Sequence, residues 1–324
     1  MKSGLAVGVD LGGTTVKAGL VSSEGMIVSS AKLPTLAAEG PDAVIGQIEK
    51  AVRHLLGSTR EQVLGVGIGT PGVVSYDGVV KYPPNLPGWT EVHLGEVLSK
   101  RIGLPVAVEN DANAAAIAES RFGSGKGELN FLSVVWGTGV GGGIILGGKI
   151  YRGPFGGAGE IGHTTIKYDG PVCNCGNRGC VEAFVGQRYL SQRAIERVEN
   201  DPKSKILELV NGDFNRVEPA VLSAAAEAGD PVARDLLVEA GTLLGVAFAS
   251  GLNLLDLRLV VIGGGVSAAP EFVYDAIRSS VRERVLTPLK PGVRVVRAAL
   301  GNEAGILGAA ALILDPSVSP SGLK

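Results

Sequence analysis

Residues 7–21, VGVDLGGTTVKAGLV, read as a strand, a tight glycine turn and a second strand. The apolar runs on either side are short and Val-rich, as buried strands are, and Gly12 and Gly13 bring backbone to a place where no Cβ intrudes. Residues 132–146, LSVVWGTGVGGGIIL, repeat the arrangement about 126 residues later, a spacing too long for a solenoid and suited to two related α/β domains. Outward from the first copy, MIVSSAKL continues as a strand, Pro41 to Leu56 as a helix, and VLGVGIG and LPVAVEN as strands again. This alternation predicts an α/β domain with a largely buried sheet. DANAAAIAESRFG begins acidic, continues in strong helix formers and stops at Gly123, which puts Asp111 at a helix N-terminus. The remainder reads as helical, including SAAAEAGDPVARDLLVEAGTLLGVAFASGLNLL, until DLRLVVIGGGVS returns as a strand and glycine turn; Gly301 to Leu314 closes the chain as a small-residue helix. No low-complexity linker marks a boundary, and one is expected near Phe122.

The 324 residues, 45% hydrophobic and 19% charged, exclude disorder as a description of the whole chain. Lys plus Arg number 30 against 32 for Asp plus Glu, so the formal charge of −2 offers no general attraction to nucleic acid or to an anionic membrane, and neither partner is expected. Asp10 interrupts the N-terminal apolar stretch and no small-residue cleavage site follows. The uncharged run from Phe131 to Gly148 is broken by glycines and suits two strands better than a span. A cytoplasmic protein is the expectation.

Two nucleotide motifs come close and fail. GIILGGKI, residues 143–150, has Ile150 where a phosphate loop needs Ser or Thr to hold magnesium. GTGVGG, residues 137–142, matches G-x-G-x-x-G but runs into the strand-like IIL, whereas a dinucleotide fold needs a helix there. What remains is a phosphate clamp in two copies. In the first, Gly12, Gly13, Thr14 and Thr15 offer backbone and hydroxyl donors, Lys17 adds positive charge, and Asp10 is placed to hold Mg²⁺ directly or through water.

All three cysteines lie within eight residues. His163, nine residues, then Cys173-x-Cys175-x4-Cys180 supplies one imidazole and three thiolates, a tetrahedral set for Zn²⁺. Four protein ligands close the coordination sphere, so the zinc is expected to be structural. Glu109, Asp111, Glu160 and Glu182 sit in glycine-rich or apolar surroundings; the zinc loop would fix Glu160 and Glu182, as suits hydrogen bonding to a polyol.

VDLGGTTVK, PNLPGW, ENDANAAAIAE, GTGVGGG, GEIGH with CNCGNRGCVE, and VVIGGGVS, in that order from about residue 5 to 312, resemble the ROK family of sugar kinases and repressors, and most closely its bacterial glucokinases. The resemblance implies an α/β, actin-like ATPase (ribonuclease H-like) fold, two α/β domains flanking an active-site cleft. In that scheme residues 1–121 form a small N-terminal domain, joined by the C-terminal helix at about 302–324, and residues 122–301 form a larger C-terminal domain with the zinc loop. It further implies transfer of the ATP γ-phosphate to the 6-hydroxyl of a hexose, glucose first, with N-acetylmannosamine, N-acetylglucosamine or fructose as alternatives. Asp111 would be the catalytic base, and Asn85, Asn110, Asp111, Glu160, His163 and Glu182 would bind sugar. Asp10, Gly12, Gly13, Thr14, Thr138 and Gly139 would hold phosphate and Mg²⁺, Gly264 and Gly265 would lie near the adenosine, and His163 would serve both zinc and a sugar hydroxyl. A homodimer or homotetramer is the family's usual state. Trp136 and the FGGAGE stretch at Phe155 to Glu160 depart from the usual spelling and bear on the choice of sugar. Repressors of the family carry a DNA-binding domain before the first phosphate loop; here Asp10 is the tenth residue, which disfavours that class, and a sensor without activity is disfavoured by the presence of Asp10, Asp111 and the zinc set.

Overall fold

The structure, a computed structural model, describes residues 4–199 and 203–320. In chain order the elements are β1 (Leu5–Leu11), β2 (Thr15–Ser22), β3 (Ile27–Pro34), α1 (Pro41–Gly57), β4 (Val63–Thr70), β5 (Val73–Val74), β6 (Val80–Lys81), β7 (Glu91–Val92), α2 (Leu94–Ile102), β8 (Val106–Asn110) and α3 (Asp111–Phe122). They continue as β9 (Phe131–Trp136), β10 (Val140–Leu146), β11 (Lys149–Tyr151), α4 (Glu182–Val185), α5 (Gln187–Val198), α6 (Lys205–Leu209), α7 (Pro219–Glu227), α8 (Pro231–Leu255), β12 (Leu259–Gly263), α9 (Glu271–Arg284), β13 (Arg294–Arg297) and α10 (Ala304–Leu314).

The first five-stranded sheet has the order β3-β2-β1-β4-β8. Its first three strands are antiparallel neighbours, and β1, β4 and β8 run parallel. Successive side chains of a strand point to opposite faces. Val7, Val9 and Leu11 accordingly join one core with Val44, Ile48 and Leu55 of α1, while Gly8 and Gly67 back onto α10, where an added Cβ would overlap the carbonyl of Ile306 or of Ala309. Glycine at these two positions is a packing requirement: the α10 backbone lies directly on the sheet. The second five-stranded sheet, β11-β10-β9-β12-β13, repeats the order of the first strand for strand, which is the duplication visible in the sequence. Turn 137–139 does lead into a strand, β10, so the dinucleotide reading fails on the structure as well. A third sheet, β5-β6-β7, has strands two residues long and left no periodic signal in the sequence.

The chain divides into two compact units, one of Met1–Ser133, Gly143–Gly159 and Ala299–Lys324, the other of Val134–Gly142 and Glu160–Ala298. Residues 122–133 and 143–159 thus group with the first unit, on the other side of the boundary expected near Phe122. The cause is contact with β8 and α3: an added Cβ at Gly143 would strike Ala116 of α3, and Arg152 is ion-paired to Glu109 of β8. The long helical stretch expected from Ser223 is two helices, because Gly229 and Pro231 break it and the Asp230 carboxylate accepts the Ala233 N–H at 2.9 Å as a cap. Its second part, α8, has the length and apolarity of a membrane span. It packs on α5, α7 and α9, with Ala233, Leu237, Leu244 and Phe248 buried, which accounts for that composition as a core helix.

Candidate active site

In the first unit the parallel strands β1, β4 and β8 end together, since Asp10 lies opposite Gly69, and Gly69 opposite Glu109. In open α/β sheets this carboxyl edge is where ligands bind. The turn after β1 is closed by the Gly12 N–H donating to the Thr15 carbonyl at 3.0 Å and by the Thr35 hydroxyl donating to the Gly12 carbonyl at 2.6 Å. Asp10, at the strand end, has Lys17 Nζ 3.4 Å away across the β1–β2 ladder. Lys17 is therefore the counter-charge of Asp10. The start of α10 presses on the other side of that carboxylate, where Gly305 leaves space that a Cβ would take. Gly13 lies against Asn85, 2.8 Å from the Cβ it would carry, and Asn85 itself is exposed in a turn anchored by buried Leu86 and Trp89.

The β8–α3 junction positions Asn110 and Asp111. Asn110 is the helix cap, its Oδ1 accepting from Ala112 and Asn113 N–H at 2.9 and 3.1 Å while its Nδ2 donates to the Gly72 carbonyl at 3.1 Å. Its side chain thus holds the junction together. Asp111 opens the helix, exposed, with Oδ1 accepting the Ala112 N–H at 2.8 Å, where the helix dipole favours negative charge. Beneath them Glu109 is buried. Its Oε1 accepts from the Asn110 N–H and from Asn113 Nδ2, both at 3.0 Å, and its Oε2 from Arg152 Nε at 2.5 Å. Arg152 in turn donates to the Val318 carbonyl at 2.6 Å. Glu109 is thus a scaffold residue whose ion pair supports the junction.

In the second unit His163 and the three cysteines converge, their ligand atoms all within 4.8 Å of one another. Cys173 Sγ lies 3.7 Å from His163 Nδ1, and Cys175 Sγ 3.7 Å from Cys180 Sγ. Tetrahedral Zn²⁺ with bonds of about 2.3 Å to sulfur and 2.0 Å to nitrogen needs ligand separations of about 3.5–3.8 Å, so the donor set fits that ion. Burial foremost pushes the Cys173 thiol up to about 12 and raises Cys180, whereas at Cys175 the Asn177 N–H and the neighbouring sulfurs outweigh burial and lower it. A bound cation would take all three as thiolates. The loop is tight enough that Gly179, at φ +70°, has the Lys167 carbonyl where a Cβ would stand. The other ring nitrogen of His163, Nε2, is 4.0 Å from the Glu160 carboxylate, whose pKa is raised by loss of solvation first and by the charge of Glu182.

Thr138 and Gly139 form the turn between β9 and β10, closed by the Gly137 N–H on the Gly139 carbonyl at 2.9 Å. Glu182 reaches it, its Oε2 accepting the Val140 N–H at 2.9 Å. Gly264, at φ +90°, backs onto the Trp136 carbonyl, and Gly265 N lies 3.9 Å from the Cβ position of Gly137, so the two glycine turns meet. Trp136 itself is fully buried with its indole N–H on the Val185 carbonyl at 2.8 Å. Its bulk belongs to the core. Of the sugar residues named from sequence, Asn85, Asn110 and Asp111 lie on the first unit and Glu160, His163 and Glu182 on the second.

Sequence reading missed Arg152, Tyr189, whose hydroxyl accepts the Asn174 N–H at 3.1 Å in the cysteine loop, and Arg297. The Arg297 guanidinium stacks 3.7 Å over the Tyr274 ring and donates to the Ser267 and Ala269 carbonyls, pinning the segment after Gly265. Each works through a partner distant in sequence, so no local motif announces it.

The chain matches the ROK family over residues 6–316. It is 40% identical over 317 residues to a glucokinase of Streptomyces coelicolor, covering 97% of this chain and 98% of that one. Among solved structures it resembles a ROK family glucokinase from Streptomyces griseus in complex with glucose and AMPPNP, at 39% identity and TM-score 0.85, covering 96% of this chain and 99% of that one. It also resembles the ROK hexokinase from Thermus thermophilus, at 36% identity and TM-score 0.80, covering 94% and 96%. The fold is the actin-like ATPase fold expected from the sequence.

Proposed function

The chain belongs to the ROK family, and we propose that it is an ATP-dependent kinase that phosphorylates the 6-hydroxyl of glucose. One observation carries this reading: the end-to-end likeness to a glucokinase crystallised with glucose and AMPPNP. The local chemistry supports it. Phosphoryl transfer needs positioning and charge stabilisation more than covalent help from the protein, and Asp111 is held at the first turn of α3 by its bond to the Ala112 N–H. In this reading Asp111 orients the sugar 6-hydroxyl and accepts its proton as that oxygen bonds to the γ-phosphorus. The bond from that phosphorus to the bridging oxygen breaks, and ADP leaves with the electron pair.

Asn85 and the Asn110–Asp111 junction serve the sugar from the first unit, and Glu160, His163 and Glu182 from the second. Asn110 contributes chiefly by shaping the junction, because its oxygen and one amide hydrogen are already engaged. Thr14, Thr15, Thr138 and the N–H groups of Gly13 and Gly139 receive phosphate oxygens, while the Gly12 N–H closes the turn on the Thr15 carbonyl. Asp10 would hold Mg²⁺, which neutralises charge on the transferring phosphoryl group. His163, Cys173, Cys175 and Cys180 would hold Zn²⁺, whose closed coordination fixes the His163 ring. A cavity of about 750 Å³ beside Thr138, lined by Gln187, Gln192, Ile195, Phe214 and Asn215 among others, offers an apolar wall and amide groups to the adenine.

Asp111→Asn tests the reading, because it keeps the shape and removes the base. Loss of a general base lowers turnover by about 100- to 10,000-fold, and glucose affinity measured by calorimetry should stay within about threefold. Near-normal turnover by this variant would sink the assignment.

A further inference from the structure

The cysteine cluster and the second glycine turn are joined by one short strap, residues 182–187. Three hydrogen bonds hold the strap to the turn. Trp136 Nε1–H donates to the Val185 carbonyl at 2.8 Å, the Gln187 N–H to the Gly137 carbonyl at 3.0 Å, and the Val140 N–H to Glu182 Oε2 at 2.9 Å. The last of these depends on position 139 being glycine, because an added Cβ would overlap the Glu182 carboxylate. At its other end the strap begins in the cluster itself. The Cys180 carbonyl accepts the Ala183 N–H at 3.0 Å, opening the helical turn that carries Glu182, and Glu182 Oε1 lies 3.7 Å from Cys173 Sγ. One carboxylate thus spans from a metal-ligand sulfur to the backbone of the turn.

We propose that Glu182 is a positioning residue for the Thr138–Gly139 turn, and that through it occupation of the Cys₃His cluster by zinc governs binding of the nucleotide phosphates. The inference rests on the kinase reading above and adds the nucleotide to the sugar as something the metal controls. A glycine turn has much conformational freedom to lose, and its N–H groups help an anion only when they are already aimed at it. Fixing the strap by a closed metal site removes that freedom before the nucleotide arrives. Linkage makes the effect reciprocal: if zinc tightens nucleotide binding, nucleotide must tighten zinc by the same factor.

The test uses the zinc-loaded full chain, with no sugar present, and follows transfer of zinc to a chromogenic chelator at equilibrium with and without Mg²⁺ and a non-hydrolysable ATP analogue. Saturating analogue is expected to raise zinc affinity about fivefold or more, the lower end of ordinary coupling between sites. Glu182→Ala should abolish that gain, and Glu182→Gln, whose amide oxygen still accepts from Val140, should keep it. A purely architectural role for Glu182 would not separate these two variants. Unchanged zinc affinity in the wild-type protein, with the analogue shown by calorimetry to be bound, overturns the proposal without any variant having to fold. Failure of the zinc-loaded protein to bind the analogue at all overturns the kinase reading instead, and calorimetry tells the two failures apart.

Discussion

The two glycine turns stand at the same place in two sheets of the same strand order, yet they are held in different ways. The first, after Asp10, carries its own charges: Asp10 and Lys17 face each other across the β1–β2 ladder, and α10 presses on the carboxylate through Gly305. The second, from Trp136 to Val140, has no charged residue and takes its support from Glu182, more than forty positions later, and from the strap that the cysteine loop anchors. A repeated backbone therefore presents a glycine turn at the same place in both sheets, and the chemistry of each copy comes from what is packed behind it. One turn is charged from within, the other is neutral and has its shape set from a distance; in the proposed kinase the first would manage the cation and the second would cradle phosphate.

Removing the charge from the first turn should have the largest effect. Asp10→Ala is expected to lower kcat about a thousandfold, the several kcal/mol a metal clamp contributes, as read by initial rates of ADP release; a loss under threefold would contradict the assignment of Asp10 to the metal. The ion pair beneath the β8–α3 junction comes next. Arg152→Met leaves the Glu109 carboxylate buried without its partner, which costs about 3–5 kcal/mol. Urea unfolding should show that loss, and the double variant with Glu109→Gln should recover much of it. For the second turn, Cys175→Ser removes one of the four proposed zinc ligands. Replacing even an outer-shell partner costs about 10- to 100-fold in metal affinity, so zinc affinity is expected to fall at least about 100-fold and sugar affinity to fall with it. Retention of both, by metal analysis and calorimetry, would refute the structural-zinc reading.

The smallest effect is a control lying outside both turns. Burial pushes the Asp230 carboxyl up, but the Ala233 N–H, the Ser204 hydroxyl and the Lys205 N–H together hold it below its ordinary value. A depressed native pKa stabilises the fold above the unfolded value of about 3.9 and loses that contribution as pH falls through the native value. Asp230→Ala should therefore cost about 1 kcal/mol of stability at pH 6, and the gap in urea midpoint from wild type should narrow below about pH 4.

What could be read in the sequence was what is local. The strand–turn–strand copies, the acidic start of α3 and the His163–Cys180 set each lie within a stretch whose spacing has a direct geometric meaning. Arg152 was invisible because its partner Glu109 is 43 positions away and nothing periodic connects them. Asn110 was named from the sequence as a sugar ligand and not as the helix cap it is, since its use depends on Gly72 as well as on α3. Trp136 stood out as a misplaced bulk and is a core residue, because its indole N–H found the Val185 carbonyl in the strap. The grouping of residues 143–159 with the first unit likewise follows from contacts with β8 and α3, which no composition change marks.

Steady-state ADP release with Mg-ATP against glucose, mannose, fructose, N-acetylglucosamine and N-acetylmannosamine decides whether the chain is a glucose kinase. Glucose should give the highest kcat/KM, with the product carrying phosphate on its 6-oxygen. ADP release unaffected by every sugar, with zinc fully bound, would contradict the kinase reading.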